Sequence, residues 1–318
     1  MAEPSVNRYR GRLAPSPTGF LHLGHARTFW VAWQRARAAH GELIFRNEDL
    51  DYQRCRPEFV RAMYEDLRWL GLDWDEGLDL NTGVSRGNFG PYSQSERRSF
   101  YLNAWRKLRD RGLIYPCTCS RKDLERALSA PHEEAAGVAG DVPLDGNDEF
   151  PYPGTCREKI AISHEWESPG GVSWRFKVPD GERIQFEDGY HGRQEFVAGR
   201  NFADFLLWRR DDIPAYQLAV VVDDTAMQVT EVVRGADLLK STARQLLLIR
   251  ALGYSTPAYF HCPLLRDENN IRLAKRHDAL SLRTLRQQLD PVALHRQFAH
   301  EIRWKRGLPA TNEDLRNI

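Results

Sequence analysis

Residues 12–27 read Arg-Leu-Ala-Pro-Ser-Pro-Thr-Gly-Phe-Leu-His-Leu-Gly-His-Ala-Arg, and a strand, a turn and a helix, in that order, accommodate them best. Pro15 and Pro17 fix φ and cannot donate a hydrogen bond, so residues 14–18 are extended or turning. Gly19 permits a left-handed turn or the close approach of a ligand. From Leu23 the apolar residues Leu23, Ala26, Trp30 and Trp33 recur at helical spacing, and His40-Gly41 is the expected C-terminal stop. Leu43-Ile44-Phe45, an apolar run flanked by charge, reads as a buried strand. Together these make one βαβ unit. Its helix N-terminus, with free N–H groups and the positive dipole end, stands beside the turn, ready for phosphate.

Arg12-x-Ala14-Pro15-Ser16-Pro17-Thr18-Gly19 followed by His22-Leu23-Gly24-His25 resembles the signature of class I aminoacyl-tRNA synthetases of the glutamyl type. Two histidines at that spacing occur by chance, but the full run is specific. The resemblance implies an α/β fold: the Rossmann-type parallel sheet of the class I synthetases, an inserted connective lobe that binds zinc, and a small helical C-terminal region. The expected division is 1–115 and 201–262 for the two halves of the catalytic domain, 116–200 for the inserted lobe, and 263–318 for a basic signature loop and C-terminal helices.

Composition agrees with this class. At 318 residues the chain is long for one ordinary domain and suits two or three lobes. A hydrophobic content of 42% is enough for a full core. The net charge is only +1, so nucleic-acid contacts have to come from local basic patches. Five cysteines in a chain this long are no disulfide framework, and Cys117-Thr118-Cys119 suits metal chemistry in a reducing compartment. No run approaches the about eighteen apolar residues of a membrane span, and the N-terminus carries no apolar leader. A soluble, cytoplasmic monomer with no membrane contact is expected.

Further along, Arg46-Asn47-Glu48-Asp49-Leu50-Asp51 is an acidic cluster at the end of the second strand, where open parallel sheets bind ligands. Glu48 is expected to face the pocket and hold a cationic amino group. The family's usual Arg-Ile-Glu-Asp-Thr-Asp favours that over a solvated loop. Residues 57–70 read as a helix with Pro57 in its first turn and Phe59, Met63, Leu67 and Leu70 on one face. Residues 81–91 read as a flexible insertion. A helix is expected to begin at Tyr92-Ser93-Gln94-Ser95 and to run through Arg111, with Ser93-x-x-Glu96 and Ser95 offering caps. Periodicity weakens between 116 and 190, and 130–149 reads as a partly disordered arm. Strands are expected at 174–178 and 184–188, then a buried run at 205–208 and a helix from Pro214 to about residue 224. A strand at 228–233 and an apolar helix at 242–252, closed by Gly253, follow. Asn269-Asn270 is a turn, and Leu285, Leu289, Leu294 and Phe298 suggest a short closing helix pair.

Adenylate formation, which the resemblance implies, requires positioned reactants and neutralised phosphate charge, with no covalent enzyme intermediate. His22, His25 and Lys275 are the expected catalytic groups, and Arg272 and Arg276 join them as ATP contacts. The family's Lys-Leu-Ser-Lys-Arg aligns with Arg272-Leu273-Ala274-Lys275-Arg276, so the first charge is kept but its shape is changed. Mg²⁺ is expected with ATP. Taken one by one, Arg12, Ser16, Glu48, Tyr216 and Arg234 match the family's glutamate contacts, and the two arginines suit carboxylates. Cys117, Cys119 and Cys156 offer three soft ligands for zinc. The Tyr-x-x-x-Cys spacing of short family members adds Tyr152 as an unusual fourth. Cys55 and Cys262 read as ordinary cysteines.

Two features narrow the resemblance to short, tRNA-modifying members, the glutamyl-Q tRNA(Asp) synthetases. Val220 stands where full-length glutamyl enzymes tend to carry asparagine, whose loss should weaken glutamate binding. The sequence also runs only to Ile318 after Arg276, too short for an anticodon-binding domain of ordinary size. The expected activity is ATP-dependent activation of L-glutamate and its transfer to queuosine at the wobble position of tRNA(Asp). The partners are then tRNA(Asp) carrying queuosine, L-glutamate and ATP. The alternatives are a truncated glutamyl-tRNA synthetase acting on the tRNA 3′ end, or a catalytically silent tRNA- or nucleotide-binding paralogue.

Overall fold

The computed structural model describes residues 8–79, 82, 84–120, 122–123, 152–265 and 281–303. The 130–149 arm, the Asn269-Asn270 turn and the basic loop with Arg272, Lys275 and Arg276 lie outside the described residues.

The first βαβ unit follows its spacing. β1 (Arg10–Leu13), α1 (Leu23–Ala38) and β2 (Glu42–Phe45) succeed one another, and β1 pairs with β2 in parallel, Arg12 opposite Ile44. α2 (Pro57–Trp69) returns the chain to β3 (Glu76–Asp79), parallel to β2. Leu13, Leu43, Ile44 and Phe45 are all buried, as strands covered on both faces require. α1 buries Ala26, Trp30, Val31, Ala32 and Ala36. Trp33 is only half-buried, because its indole N–H reaches out to Asp73 Oδ1 at 2.5 Å.

Two local expectations need correction. The 81–91 segment is not simply a flexible insertion, since β4 (Val84–Arg86) pairs antiparallel with β3. Neither Ser93 nor Ser95 caps a helix. A short 3₁₀ turn (Gln94–Glu96) precedes α3 (Arg98–Asp110), Ser93 Oγ accepts from the Asn47 amide, and Ser95 gives both its N–H and its hydroxyl to Asp49. A carboxylate from another element is the stronger acceptor. The expected His40-Gly41 stop agrees with the structure: α1 ends at Ala38, and His40 takes the left-handed conformation (φ 48°). Gly41 supplies space: a Cβ there would stand 2.5 Å from Tyr9 O.

After α3 come β5 (Ile114–Cys117), β6 (Ser173–Phe176), the hairpin β7 (Arg183–Asp188) and β8 (Gly192–Val197), and β9 (Phe205–Trp208). β5, β6 and β9 form an antiparallel sheet whose strands straddle the expected 116–200 boundaries. α4 (Tyr216–Ala226), β10 (Glu231–Gly235), α5 (Leu239–Leu252) and β11 (Ala258–Cys262) follow. β10 and β11 are parallel, and β7 joins β11 at Asp188 opposite Tyr259. β1 runs beside β10 in the same sense: Thr230 N–H donates to Arg10 O at 2.9 Å, and Arg12 Nη1 donates to Val233 O at 2.8 Å. The C-terminal ends of β1, β2, β10 and β11 therefore open on one edge. α6 (Leu282–Leu285) and α7 (Pro291–Arg303) complete the described chain, with Phe298 buried against Trp30. Among the described residues no helix is long and apolar enough to cross a membrane.

Residues of the expected inserted lobe pack into one core with the helices on either side of it in sequence. Trp174 and Phe176 of β6 and Ile184 of β7 share one core with Trp105 of α3, Leu218 of α4 and Leu247 of α5. Trp174 is 0% exposed and meets Trp105 edge-on, ring centroids 4.9 Å apart. Trp174→Ala should lower the unfolding free energy by about 3–5 kcal/mol in urea denaturation. A loss below about 1 kcal/mol would show that β6 is dispensable to this core.

Candidate active site

A cavity of about 860 Å³ lies beyond the C-terminal ends of the parallel strands, the place where α/β sheets hold ligands. Arg12, Ser16, His22, His25, Glu48, Tyr216 and Arg234 all line it. Every described residue expected to contact glutamate or to act in catalysis therefore falls in one space, although these residues come from four separate stretches of sequence.

His22 is the N-cap of α1. Its Nδ1 accepts from the backbone N–H of Gly24 at 3.1 Å and of His25 at 3.4 Å, satisfying two amides that the helix leaves without partners. A neutral imidazole that accepts at Nδ1 carries its proton on Nε2. The ring stacks on His25 with centroids 3.7 Å apart. Gly24 allows that stack, because a Cβ there would lie 3.0 Å from the His22 ring. Two imidazoles and a helix N-terminus thus border the cavity together, an arrangement suited to an anion.

Arg46, the residue after β2, has no exposed surface. Its Nη2 donates to Glu48 Oε1 at 3.0 Å and its Nη1 to Asp224 Oδ1 at 2.7 Å, while Asp223 lies 3.9 Å from its Nε. Arg97 Nε and Gln94 Nε2 donate to Asp223 at 2.6 and 2.7 Å, and Tyr101 O–H at 3.0 Å. Arg12 Nε stands 3.5 Å from Asp224 Oδ1, and Ser16 Oγ stands 3.5 Å from Glu48 Oε2. Burial lifts the Glu48 carboxyl above its ordinary pKa against the pull of Arg46 and Arg12. Burial also pushes Asp224 up, but there Arg46 and Arg12 outweigh it and hold the carboxyl below the ordinary value. Asp223 ends raised, its burial exceeding what Arg46 and Arg97 return. Glu48, which lines the cavity, is thus under-compensated, and a cationic ligand would relieve it.

A second guanidinium, Arg234 of β10, is enclosed by neutral acceptors. Nε donates to His261 Nε2 at 3.1 Å, Nη1 to Gln245 Oε1 at 2.8 Å, and Nη2 to Thr242 Oγ1 at 2.7 Å. Two longer contacts complete its set: Nη1 to Tyr216 Oη at 3.4 Å and Nη2 to Leu238 O at 3.5 Å. Tyr216 is 38% exposed.

Apart from the cavity, the Sγ atoms of Cys117, Cys119 and Cys156 lie within 4.8 Å of one another. Cys119 and Cys156 are 3.6 Å apart. Tyr152 Oη stands 3.4 Å from Cys117 Sγ and 3.8 Å from Cys119 Sγ, and accepts the Cys156 N–H at 2.7 Å. Cys55 and Cys262 are free thiols elsewhere.

Known proteins match this arrangement over most of its length. The family model described as tRNA synthetases class I (E and Q), catalytic domain, matches residues 8–313. The chain belongs to this family. A protein of Nitratidesulfovibrio vulgaris named glutamyl-Q tRNA(Asp) synthetase is 47% identical over 89% of this chain and 83% of its own length. One of the same name from Symbiobacterium thermophilum is 48% identical over 87% of this chain and 80% of its own. The crystal structure of a glutamate-tRNA synthetase from Elizabethkingia anophelis is similar with a TM-score of 0.68 at 29% identity, covering 85% of this chain and 53% of that one.

Within this class I catalytic domain, sequence reading overlooked Arg46, Asp223 and Asp224 as site residues. A signal was present. Asp223-Asp224 ends the run Leu-Ala-Val-Val-Val, which offers no polar face, so two carboxylates there must find partners inside. Val220 of the same run is buried and does not line the cavity.

Arg46→Met would leave Glu48 and Asp224 buried beside one fewer cation. The expected cost at pH 7 is about 3–5 kcal/mol. In the native protein the lowered Asp224 contributes stability above the ordinary carboxylate range and loses it as pH falls through its folded value. In the variant the same carboxyls favour protonation on folding, so the gap between the two proteins should narrow from pH 7 towards about pH 4. Urea midpoints across that range check this, and a constant gap would mean Arg46 does not compensate these groups.

Proposed function

We propose that the chain activates L-glutamate with ATP and transfers the glutamyl group to queuosine at the wobble position of tRNA(Asp). The charge pattern of one cavity carries this reading: two buried guanidiniums, Arg12 and Arg234, and one under-compensated carboxylate, Glu48, beside the N-terminus of α1. A dicarboxylic amino acid carries the inverse pattern. Arg12 and Arg234 suit its carboxylates and Glu48 its ammonium, with Ser16 and Tyr216 adding hydrogen bonds. His22 and His25 with the helix end would take the triphosphate, and Lys275, Arg272 and Arg276 join them on sequence resemblance alone.

In the first step a glutamate carboxylate oxygen attacks the α-phosphorus of ATP, an O–P bond forms, and pyrophosphate departs with the electrons of the broken bond. The protein's part is to align the two anions and offset their charge. In the second step a hydroxyl of the modified nucleoside attacks the acyl carbon, and AMP leaves. Identity of 47% and 48% to two proteins named for this tRNA supports the choice of acceptor. Mg²⁺ arriving with ATP would help offset the phosphate charge.

Labelled glutamate with ATP should mark queuosine-containing tRNA(Asp) and leave tRNA(Glu) and queuosine-free tRNA(Asp) unmarked. Label on tRNA(Glu) alone would refute the reading. Arg12→Ala should lower kcat/KM for glutamate in ATP–pyrophosphate exchange by about 30-fold or more, the scale for truncating one partner of a buried charge pair. Unchanged exchange would mean the pocket binds something else.

The cysteine cluster fits zinc. Tetrahedral coordination with Zn–S of about 2.3 Å sets sulfurs about 3.8 Å apart, and Cys119 and Cys156 stand at 3.6 Å. Cys117, Cys119 and Cys156 would hold the ion, with Tyr152 as fourth ligand, and would tie the end of β5 to the segment at 152–156. Elemental analysis should find about one zinc per chain, and Cys119→Ser should lower both zinc content and melting temperature. Metal-free protein with an unchanged melting temperature after the substitution would dismiss the site.

A further inference from the structure

Behind Arg234 stand two residues that do not line the cavity, His261 on its Nε and Asp188 on the far side of that ring. We propose that Asp188 and His261 are positioning residues that lock the Arg234 guanidinium through its Nε, so that its outer N–H groups meet a carboxylate in the cavity. The proposal rests on the reading of Arg234 as a glutamate ligand.

The register of the sheet places the parts. Arg234 on β10 and His261 on β11 are direct partners across the parallel pair, so their side chains leave the same face. Asp188 ends β7, which enters the sheet beside β11 at Tyr259. The side chains of Asp188 and His261 have no exposure, and Arg234 is nearly as buried.

Proton counting fixes the direction of the bonds from Arg234 to Asp188, and the Thr242 hydroxyl, 3.1 Å from His261 Nε2, can donate to the same nitrogen. An arginine can only donate, so His261 Nε2 must accept from Arg234 Nε at 3.1 Å. A neutral imidazole then carries its single proton on Nδ1, which lies 2.6 Å from Asp188 Oδ2. Asp188 is itself held by backbone: Oδ1 accepts from the N–H groups of Tyr190 at 3.0 Å and His191 at 2.8 Å, and Oδ2 from His261 N–H at 3.1 Å. Burial, with the Arg234 charge, pushes the His261 pKa down to about 4 against the pull of Asp188. The imidazole therefore stays neutral across the working range of such an enzyme.

At the other end, the short bonds to Gln245 and Thr242 pin one N–H on each terminal nitrogen. The long contacts to Tyr216 and Leu238, at 3.4 and 3.5 Å, are the ones that carboxylate oxygens can replace. A guanidinium turned about its own axis would offer the wrong pair. Asp188 and His261 prevent that turn.

The test compares variants by ATP–pyrophosphate exchange, with separate KM values for glutamate and ATP. His261→Ala removes the acceptor and should raise KM for glutamate about tenfold or more, leaving KM for ATP within about twofold. His261→Gln restores an acceptor and should recover most of the loss. Asp188→Asn changes almost no volume. The amides of Tyr190 and His191 would claim its oxygen and turn its NH₂ towards His261 Nδ1, at the cost of the bond from the His261 N–H. The imidazole would then place its proton on Nε2, facing Arg234, so this variant should also raise KM for glutamate, even where His261→Ala does not fold. Arg234→Ala serves as the reference. If it alone raises KM for glutamate while the Asp188 and His261 variants do not, the positioning role is wrong and the pocket stands. If Arg234→Ala leaves KM for glutamate unchanged, the pocket reading itself fails. Equal loss for glutamate and ATP in the Asp188 and His261 variants would reduce their role to general stability and overturn the proposal.

Discussion

A positive charge sealed from water organises the centre of this protein. Arg46 leaves β2 and reaches Glu48 on its own segment and Asp224 on α4. A buried charge without partners costs several kcal/mol, so α4 can dock only where its carboxylates meet this guanidinium. Asp223 carries the constraint further, to Arg97 and Gln94 ahead of α3. The first βαβ unit, the start of α3 and the second half of the sheet are thereby placed relative to one another. Such a cluster is poor evidence of net stability, because an apolar replacement can serve as well. What it determines here is position, including that of Glu48, whose other oxygen is turned towards Ser16.

The cavity inherits its charge pattern from that placement. Parallel strands deliver Arg12 and Arg234 near the ends of β1 and β10 and Glu48 just past β2, and α1 contributes its N-terminus to the same edge. Histidine caps this helix, with two amides on one ring nitrogen. A serine or aspartate would satisfy the amides equally well. Imidazole does so while adding a flat donor ring to the cavity wall, and glycine between the two histidines spares that ring a contact at 3.0 Å. The signature motif is therefore three local requirements in one stretch: a stiff turn, a capped helix and a narrow contact.

Legibility in the sequence followed the range of the interactions. The βαβ unit was readable because prolines, glycine and helical spacing sit within one window, and the candidates that line the cavity were picked out because a known motif carried them. Arg46 was not, since its Asp224 partner stands 178 positions away, and its neighbours gave the stretch an acidic character. Ser93 and Ser95 looked like caps because that chemistry is local, whereas their actual partners, Asn47 and Asp49, come from another element. β4 was hidden for a similar reason: nothing within Val-Ser-Arg demands a strand, and pairing with β3 supplies the cause. His261 lies in the short run Ala-Tyr-Phe-His-Cys, where only the register against Arg234 reveals a role.

The two arginines that face the cavity are held in opposite ways. Arg234 has a neutral acceptor on each of its nitrogens. Arg12 has one carbonyl bond and the charge of Asp224 nearby, and among the described residues its Nε finds no hydrogen-bond partner. Its direct acceptors are neutral, so Arg234 has no carboxylate bound to it and a defined geometry to offer a ligand. Arg12 shares its field with Asp224 and is less constrained in angle. On the proposed reading, the rigid end sets where one carboxylate must lie, and Glu48, tied to Arg46, sets where the ammonium must lie. The first anchor is fixed by its place on β10, and the second by the buried Arg46 that follows β2.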